Sequence, residues 1–186
     1  MIKQEKNYCD KTKEERFEYV WDNFYRMEEL LKAQKESLQC YISNEKAYLK
    51  NGRNQELGVR IQKSHDFYSL TEEEAIERVL IGESIEKGKL SEELLKEVEN
   101  VDEINKMIFS FKLLRNEYKL LQCHILSLPA DSKSIIFQYI NKEATLAKLS
   151  GKYAIEENSV KQRIYRIKKQ VKEMVFPFME NFGEDR

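Results

Sequence analysis

The last third of the chain contains an apolar repeat with the period of an α-helix. From Glu157 onward, apolar residues recur every three or four positions, the spacing that aligns side chains along one face of a helix. The residues of this stripe are Val160, Ile164, Ile167, Val171 and Met174 or Val175. The pattern predicts an amphipathic helix over about residues 157–175 with its apolar face buried.

Two shorter helices are predicted immediately before this one. The first should span Ser132 to about Ile140, since Leu128-Pro129 fits just ahead of a helix and Asp131 or Ser132 can serve as its N-cap. Its expected buried residues are Ile135, Ile136, Tyr139 and Ile140. The second should begin after Thr145, a suitable N-cap, and should end at a turn formed by Ala154-Ile155. Its expected inward residues are Leu146, Leu149 and Tyr153.

The rest of the chain also has the periodicity of helices. Two segments, about residues 15–48 and 101–128, place apolar residues at alternating spacings of three and four, the heptad pattern of helices packed along a seam. The first seam contains Phe17, Val20, Phe24, Met27, Leu31, Gln34, Leu38 and Tyr41. The second contains Ile104, Met107, Phe111, Leu114, Tyr118, Leu121, Ile125 and Leu128. These seams can pair with each other inside one chain, which buries both without a partner, or with a second copy in a homodimer.

The sequence predicts an all-α protein with two parts, since only two prolines and six glycines occur in 186 residues and no strand-like alternation of any length is found. Between the seams, Asn51-Gly52 is expected to form a turn, Gly82 and Gly88 to break helices, and Ser91 to cap a helix that continues into the second seam. The predicted parts are an N-terminal helical, coiled-coil-like body at residues 1–127, a three-helix domain at 128–176 and a tail at 177–186.

Basic residues are concentrated in the predicted three-helix domain. Residues 131–175 hold ten Lys or Arg and five Asp or Glu, a net charge of +5, whereas the rest of the chain holds 22 basic and 28 acidic residues, a net charge of −6. This separation of a basic end from an acidic body favours contact with nucleic acid at the basic end. The alternative is an ordinary solvated helical bundle, because charge runs often serve only to keep a surface wet.

The predicted third helix carries the side-chain types that recognition of duplex DNA requires. Cations contact phosphates and supply most of the affinity, while polar side chains near the helix N-terminus reach base edges in the major groove. Asn and Gln suit adenine, Lys suits guanine, and Glu can accept from cytosine. The predicted reading end consists of Glu157, Asn158, Lys161 and Gln162. The cations expected to contact mainly the phosphate backbone are Arg163, Arg166, Lys168 and Lys169.

The segment at residues 128–171 resembles region 4 of bacterial sigma factors and the related C-terminal domain of small phage transcription regulators of the ArpU type. The positions that match the family pattern are Leu128-Pro129, Thr145, Leu149-Ser150, Tyr153-Ala154-Ile155-Glu156 and Ser159-Val160. The resemblance covers about a quarter of the chain. It implies a helix-turn-helix domain that binds promoter DNA, and it implies RNA polymerase as a second partner.

Two positions depart from that family's pattern. The family usually has glycine in the turn, where this chain has Ala154, and a left-handed backbone there would cost an alanine about 1 kcal/mol. The family usually has serine as the N-cap of the recognition helix, where this chain has Glu156, a poorer cap whose charge nevertheless suits the positive end of the helix dipole. Asn158 is an alternative cap, so the helix start is predicted to within one or two residues.

Features of membrane proteins, secreted proteins and common enzymes are absent from the sequence. No apolar run approaches the length of a membrane span, and charged residues recur through the first sixteen positions, so a cytoplasmic protein without a membrane partner is expected. Three widely spaced cysteines without a CxxC pair should be reduced thiols. Neither a Gly-rich phosphate loop nor an HExxH motif occurs, and Cys123 and His124 would point in different directions on a helix. We expect a protein that is not an enzyme and needs no cofactor or metal.

These patterns favour a sequence-specific, DNA-binding transcription regulator of the kind that phages and prophages encode. Its expected partner is double-stranded DNA, with RNA polymerase and a second copy of the chain as further candidates. One alternative is a DNA-packaging protein similar to a small terminase subunit, in which the helix-turn-helix binds the packaging site and helical segments form a ring. Another is a helical adaptor that binds protein and has no affinity for DNA.

Overall fold

The described part of the protein consists of α-helices. The computed structural model describes residues 7–56, 72–95 and 98–179, and it contains eight α-helices and no β-strand within these ranges. The helices are α1 Lys13–Asp22, α2 Met27–Glu56, α3 Glu72–Lys87, α4 Glu92–Leu95, α5 Val101–Leu126, α6 Ala130–Ile140, α7 Leu146–Tyr153 and α8 Glu157–Val175. The prediction of an all-α protein is confirmed for these residues, and none of their helices has the length and apolar character needed to cross a bilayer.

The chain divides into two compact units whose boundaries differ from the predicted ones. Unit 1 contains residues 1–29 and 113–186, and unit 2 contains residues 30–112. The segment at 128–176, predicted as a separate domain, therefore belongs to a larger unit that includes α1 and the second half of α5. Long-range interactions of α1, which the local sequence pattern does not encode, account for this difference.

A buried ion pair joins α1 to α5 within unit 1. The Arg16 Nε lies 3.0 Å from a Glu117 carboxylate oxygen, and these side chains are 0% and 5% exposed. The Tyr8 hydroxyl donates a hydrogen bond to the same carboxylate, and Arg16 Nη1 donates to the Lys11 carbonyl at 3.0 Å. Burial and the nearby Glu117 charge raise the pKa of Tyr8, so its hydroxyl stays protonated and able to donate. Since removing one member of a buried pair leaves an uncompensated charge, this network holds the N-terminal segment against α5.

The second predicted seam lies on a single helix, α5, as expected. All its residues are buried except Met107, which is partly buried, and Leu128 follows two residues after the helix ends. Residues of both seams pack in one chain: Leu38 shares a core with Ile104 and Phe111 in unit 2, and the Phe24 ring lies 5.3 Å from that of Tyr118 in unit 1. The intrachain pairing of the two seams is therefore observed.

The first predicted seam forms two helices, so the expected continuous helix at residues 15–48 is wrong. Helix α1 ends at Asp22, and a 3₁₀ turn at Phe24–Arg26 precedes α2. At the break, the Tyr19 carbonyl accepts from both the Asn23 N–H at 3.2 Å and the Asn23 side-chain amide at 2.8 Å. The buried residues of this seam are Phe17, Val20, Phe24, Met27 and Leu38.

The connections in unit 2 confirm some predicted boundaries and correct others. Helix α2 continues through Asn51-Gly52, so the predicted turn there is wrong, and α3 continues through Gly82. Helix α3 ends just before Gly88, which has a φ of 87° that glycine adopts without strain. The Ser91 hydroxyl accepts from the Leu94 N–H at 3.4 Å and so caps α4 as predicted. Residues 98–100 are not helical, so α4 does not continue into α5.

Candidate nucleic-acid interface

Helix α6 begins two residues earlier than predicted. Pro129 occupies its N-cap position and makes no side-chain cap bond, so Asp131 and Ser132 lie in the first turn and the prediction of either as the cap is wrong. Three predicted core residues, Ile135, Ile136 and Ile140, are buried. Tyr139 is 37% exposed, contrary to the prediction, because a tyrosine can pack the base of its ring while its hydroxyl end remains in water.

The predicted turn between α7 and α8 has a left-handed residue. The Thr145 hydroxyl accepts from the Lys148 N–H at 3.4 Å, which confirms it as the cap of α7. Ala154 ends the helix with φ 53° and ψ 40°, the strained conformation considered from the sequence. Ser150 holds the turn: its hydroxyl donates to the Ile155 carbonyl at 2.7 Å, and its own carbonyl accepts from the Ile155 N–H at 3.2 Å. The structure thus keeps an alanine where glycine would be unstrained.

Helix α8 begins at Glu157, with Glu156 as an N-cap that makes no side-chain cap bond. Asn158 lies inside the first turn, so the alternative start at Asn158 is wrong. The predicted apolar stripe is confirmed, with Val175 rather than Met174 as its last buried member. Its buried residues are Val160, Ile164, Ile167, Val171 and Val175.

The side of α8 opposite this stripe is open to solvent. At about 100° per residue, the outward face is defined by six side chains that point away from the stripe. They are Asn158, Gln162, Tyr165, Arg166, Lys169 and Glu173, and all six are exposed. This outward face brings together two amides, a phenol, two cations and, near the C-terminal end of the helix, one carboxylate.

The predicted reading end is accessible as a whole. Glu157, Asn158, Lys161 and Gln162 occupy the first two turns of α8, and each is exposed. The four predicted backbone cations differ from one another in their surroundings. Arg166 and Lys169 are exposed and Arg163 is partly buried, while the Lys169 ammonium is 3.9 Å from Glu173 in a pair whose side chains are both 67% exposed. Such an exposed pair leaves Lys169 accessible.

Lys168 pairs with an acidic residue of another helix, unlike the other cations predicted to contact the DNA backbone. Its ammonium pairs with the Glu18 carboxylate on α1 and lies 5.4 Å from the centre of the Trp21 ring. The Lys168 side chain is 26% exposed. It projects from a flank of α8, between the buried stripe and the outward face, where α1 can reach it.

A groove of about 470 Å³ runs beside the second half of α8 in unit 1. Its lining residues are Glu18, Tyr165, Lys168, Lys169, Lys172, Glu173 and Phe176. The Lys172 ammonium lies 4.7 Å from the centre of the Phe176 ring, and that ring packs edge-on against Phe17 at 5.9 Å. The groove is therefore lined by three lysines of α8, with one carboxylate from α1 and one from α8 beside them.

Tyr165, a residue of this surface, was missed from the sequence, and the hydrogen bonds of Ser150 in the preceding turn were not anticipated. Tyr165 is 69% exposed on the outward face, and its position off the apolar stripe was the available signal. Ser150 fixes the turn before α8 through bonds to Ile155 that helical periodicity does not reveal. Of the described residues, no three His, Cys, Asp or Glu side chains are grouped so as to hold a metal ion.

Comparison with known proteins identified no relative of this chain. No protein-family model matches the chain, and searches of curated proteins and of solved structures found no match.

Proposed function

We propose that the protein binds double-stranded DNA through α8 and acts as a sequence-specific transcription regulator. The observation that carries this proposal is the outward face of α8, where amides and cations are exposed while the apolar stripe behind them is buried. Asn158 and Gln162 are suited to the edge of adenine, and Lys161 to that of guanine. The exposure of all four residues at the reading end supports their use in base recognition.

The dimensions of DNA support α8 as the element that enters the duplex. The major groove of B-DNA is about 12 Å wide and admits one α-helix. A helix in that groove presents its outward face to base edges and its flanks to the phosphates on either side. Arg166 and Lys169 lie beyond the reading end, where their long side chains can reach phosphates.

The charge distribution supports the same assignment. Residues 131–175 carry a net charge of +5 in a chain whose total is −1, and the binding of phosphates by such a cluster supplies most of the affinity for DNA. The resemblance of residues 128–171 to sigma region 4 favours promoter DNA as the target. It also makes RNA polymerase the second partner in this proposal.

Alanine substitutions on α8 test the proposal. The double variant Lys161→Ala/Gln162→Ala should reduce the preference for a selected duplex over a scrambled one, by about 1–3 kcal/mol for each base-reading side chain that is removed. Arg166→Ala and Lys169→Ala should weaken binding to both duplexes similarly. Each should also lower the slope of log K against log salt by about 0.9, because one phosphate is no longer neutralised by the protein.

Lys119→Ala is the matched control for this experiment. Lys119 is an exposed lysine of unit 1 that lies on α5, so its removal changes the charge equally without altering α8. The control should retain the wild-type salt slope. Equal slopes and equal sequence preference in the wild type, the α8 variants and the control would show that DNA does not bind this face.

A further inference from the structure

One cationic side chain of α8, Lys168, already forms an ion pair with an acidic residue of the same chain. The Lys168 ammonium is paired with Glu18 and lies beside the Trp21 ring. By contrast, Lys161, Arg166 and Lys169 are exposed. The basic flank of α8 therefore contains a lysine whose charge is balanced in the free protein.

The Glu18–Lys168 pair is not what fixes α1 in unit 1. Its side chains are 46% and 26% exposed, and ion pairs open to solvent contribute little to stability. The helix is held by the fully buried Arg16, which pairs with Glu117, and by the packing of Phe17 against Phe176. Removing the Glu18 charge should therefore leave the fold intact.

The position of Lys168 suits the binding of a phosphate. Lys168 and Lys172 lie on one flank of α8, about 40° from each other around the helix axis. When a helix occupies the major groove, such a flank faces a phosphate strand. A carboxylate and a phosphate both present anionic oxygens to an ammonium group, so Glu18 and DNA would use the same donors of Lys168.

We propose that Glu18 competes with a DNA phosphate for Lys168 and thereby lowers the DNA affinity of this interface. The inference rests on the proposed function, because it concerns regulation of the same surface. The Glu18–Lys168 pair then stays closed in the wild-type complex, which forgoes one phosphate interaction. The wild type therefore binds DNA less tightly than its cationic side chains alone would allow.

Glu18→Gln tests this competition, and Glu173→Gln is its matched control. Both residues line the same groove, but Glu173 faces a lysine that is 67% exposed at 3.9 Å. Each variant removes one negative charge beside α8, whereas only Glu18→Gln releases a held ammonium. Affinity for a selected duplex is measured from about 50 to 200 mM salt for both variants, each with and without Lys168→Gln, and thermal melts confirm that all are folded.

The expected result is a steeper salt dependence for Glu18→Gln alone. Neutralising one additional phosphate raises the slope by about 0.9, so the affinity gain over wild type should shrink roughly threefold between the lowest and highest salt. Glu173→Gln should keep the wild-type slope. Lys168→Gln should abolish the gain in the Glu18→Gln background and change the wild-type slope much less.

The other outcomes overturn the inference in distinguishable ways. If the wild type binds DNA but Glu18→Gln and Glu173→Gln have the same slope, the competition does not occur and the proposed function stands. If Lys168→Gln lowers the slope equally with and without Glu18, Lys168 already binds phosphate in the wild type. If the wild type shows no salt-dependent affinity for any duplex, the proposed function and this inference both fail.

Discussion

The strained turn before α8 gives a stability prediction that follows directly from the backbone. Ala154 adopts φ 53° and ψ 40°, a conformation that costs an L-residue other than glycine about 1–2 kcal/mol. Glycine avoids that strain but loses more backbone freedom on folding, an opposing effect of about 0.4–1 kcal/mol. Since the exposed Ala154 side chain has little packing to lose, Ala154→Gly should raise the free energy of unfolding by about 0.5–1 kcal/mol.

The same substitution in the preceding helix provides the control. Ala147 is exposed in the first turn of α7, where replacement by glycine should lower the free energy of unfolding by up to about 1 kcal/mol, the cost in a helix interior. Urea unfolding followed by circular dichroism measures both changes, and thermal melting should shift by about 2–4 °C per kcal/mol for a chain of this size. Opposite signs for the two variants are expected. If Ala154→Gly is as destabilising as Ala147→Gly, the left-handed turn is not formed in solution.

Three further predictions follow from the structure. Tyr8→Phe should lower the free energy of unfolding by about 1.5–3 kcal/mol at neutral pH, because the hydrogen bond to Glu117 is lost. Since the pKa of Tyr8 is raised in the folded protein, the wild type loses this stabilisation as pH rises above about 10. Urea unfolding should therefore show the free energies of unfolding of the two proteins converging above that pH. Tyr165→Ala should leave the melting temperature unchanged, since the ring is 69% exposed, but should weaken duplex binding in a fluorescence titration; unchanged binding would remove Tyr165 from the interface. A solution mass should correspond to a monomer or dimer, whereas a ring of about eight or more subunits would favour a packaging protein.

The elements predicted best are those whose apolar spacing alone determines the buried face. The stripe from Val160 to Val175 lies on a single helix with the predicted residues buried. The second seam lies on α5 up to Ile125, with only Met107 partly exposed. The break at Asn23 was not predictable from the first seam, because the heptad pattern continues through Phe24 and Met27 while the chain leaves the α-helix for a 3₁₀ turn at Phe24–Arg26. Apolar periodicity reports the buried face and does not report where a helix ends.

Glycine and asparagine predicted helix breaks poorly in the longer helices. Asn51-Gly52 and Gly82 lie inside helices, whereas Gly88 ends one. A single glycine costs a helix about 1 kcal/mol, which the packing of the rest of the helix can offset. For α3, that packing includes Ile81 and Ile85, both fully buried in the core of unit 2.

The candidate site was predictable where it is local and not where it depends on distant residues. The accessible reading end was anticipated from the position of its residues at the start of α8, and the left-handed turn at Ala154 from the glycine that the sigma region 4 family usually has there. The ion pair of Lys168 could not be anticipated, because its partner Glu18 lies 150 positions away in sequence. The same holds for the boundary of unit 1, which the distant pair of Arg16 and Glu117 helps to define.

Recognition of a DNA sequence by α8 can be measured by selecting duplexes from a random pool with the full chain. Affinities for the selected and scrambled duplexes are then measured across a salt series. The selected duplex should bind at least about 10³-fold more tightly than the scrambled one, and log K should fall steeply with log salt. Recovery of no common sequence, together with affinities that are equal for both duplexes or independent of salt, would contradict such recognition.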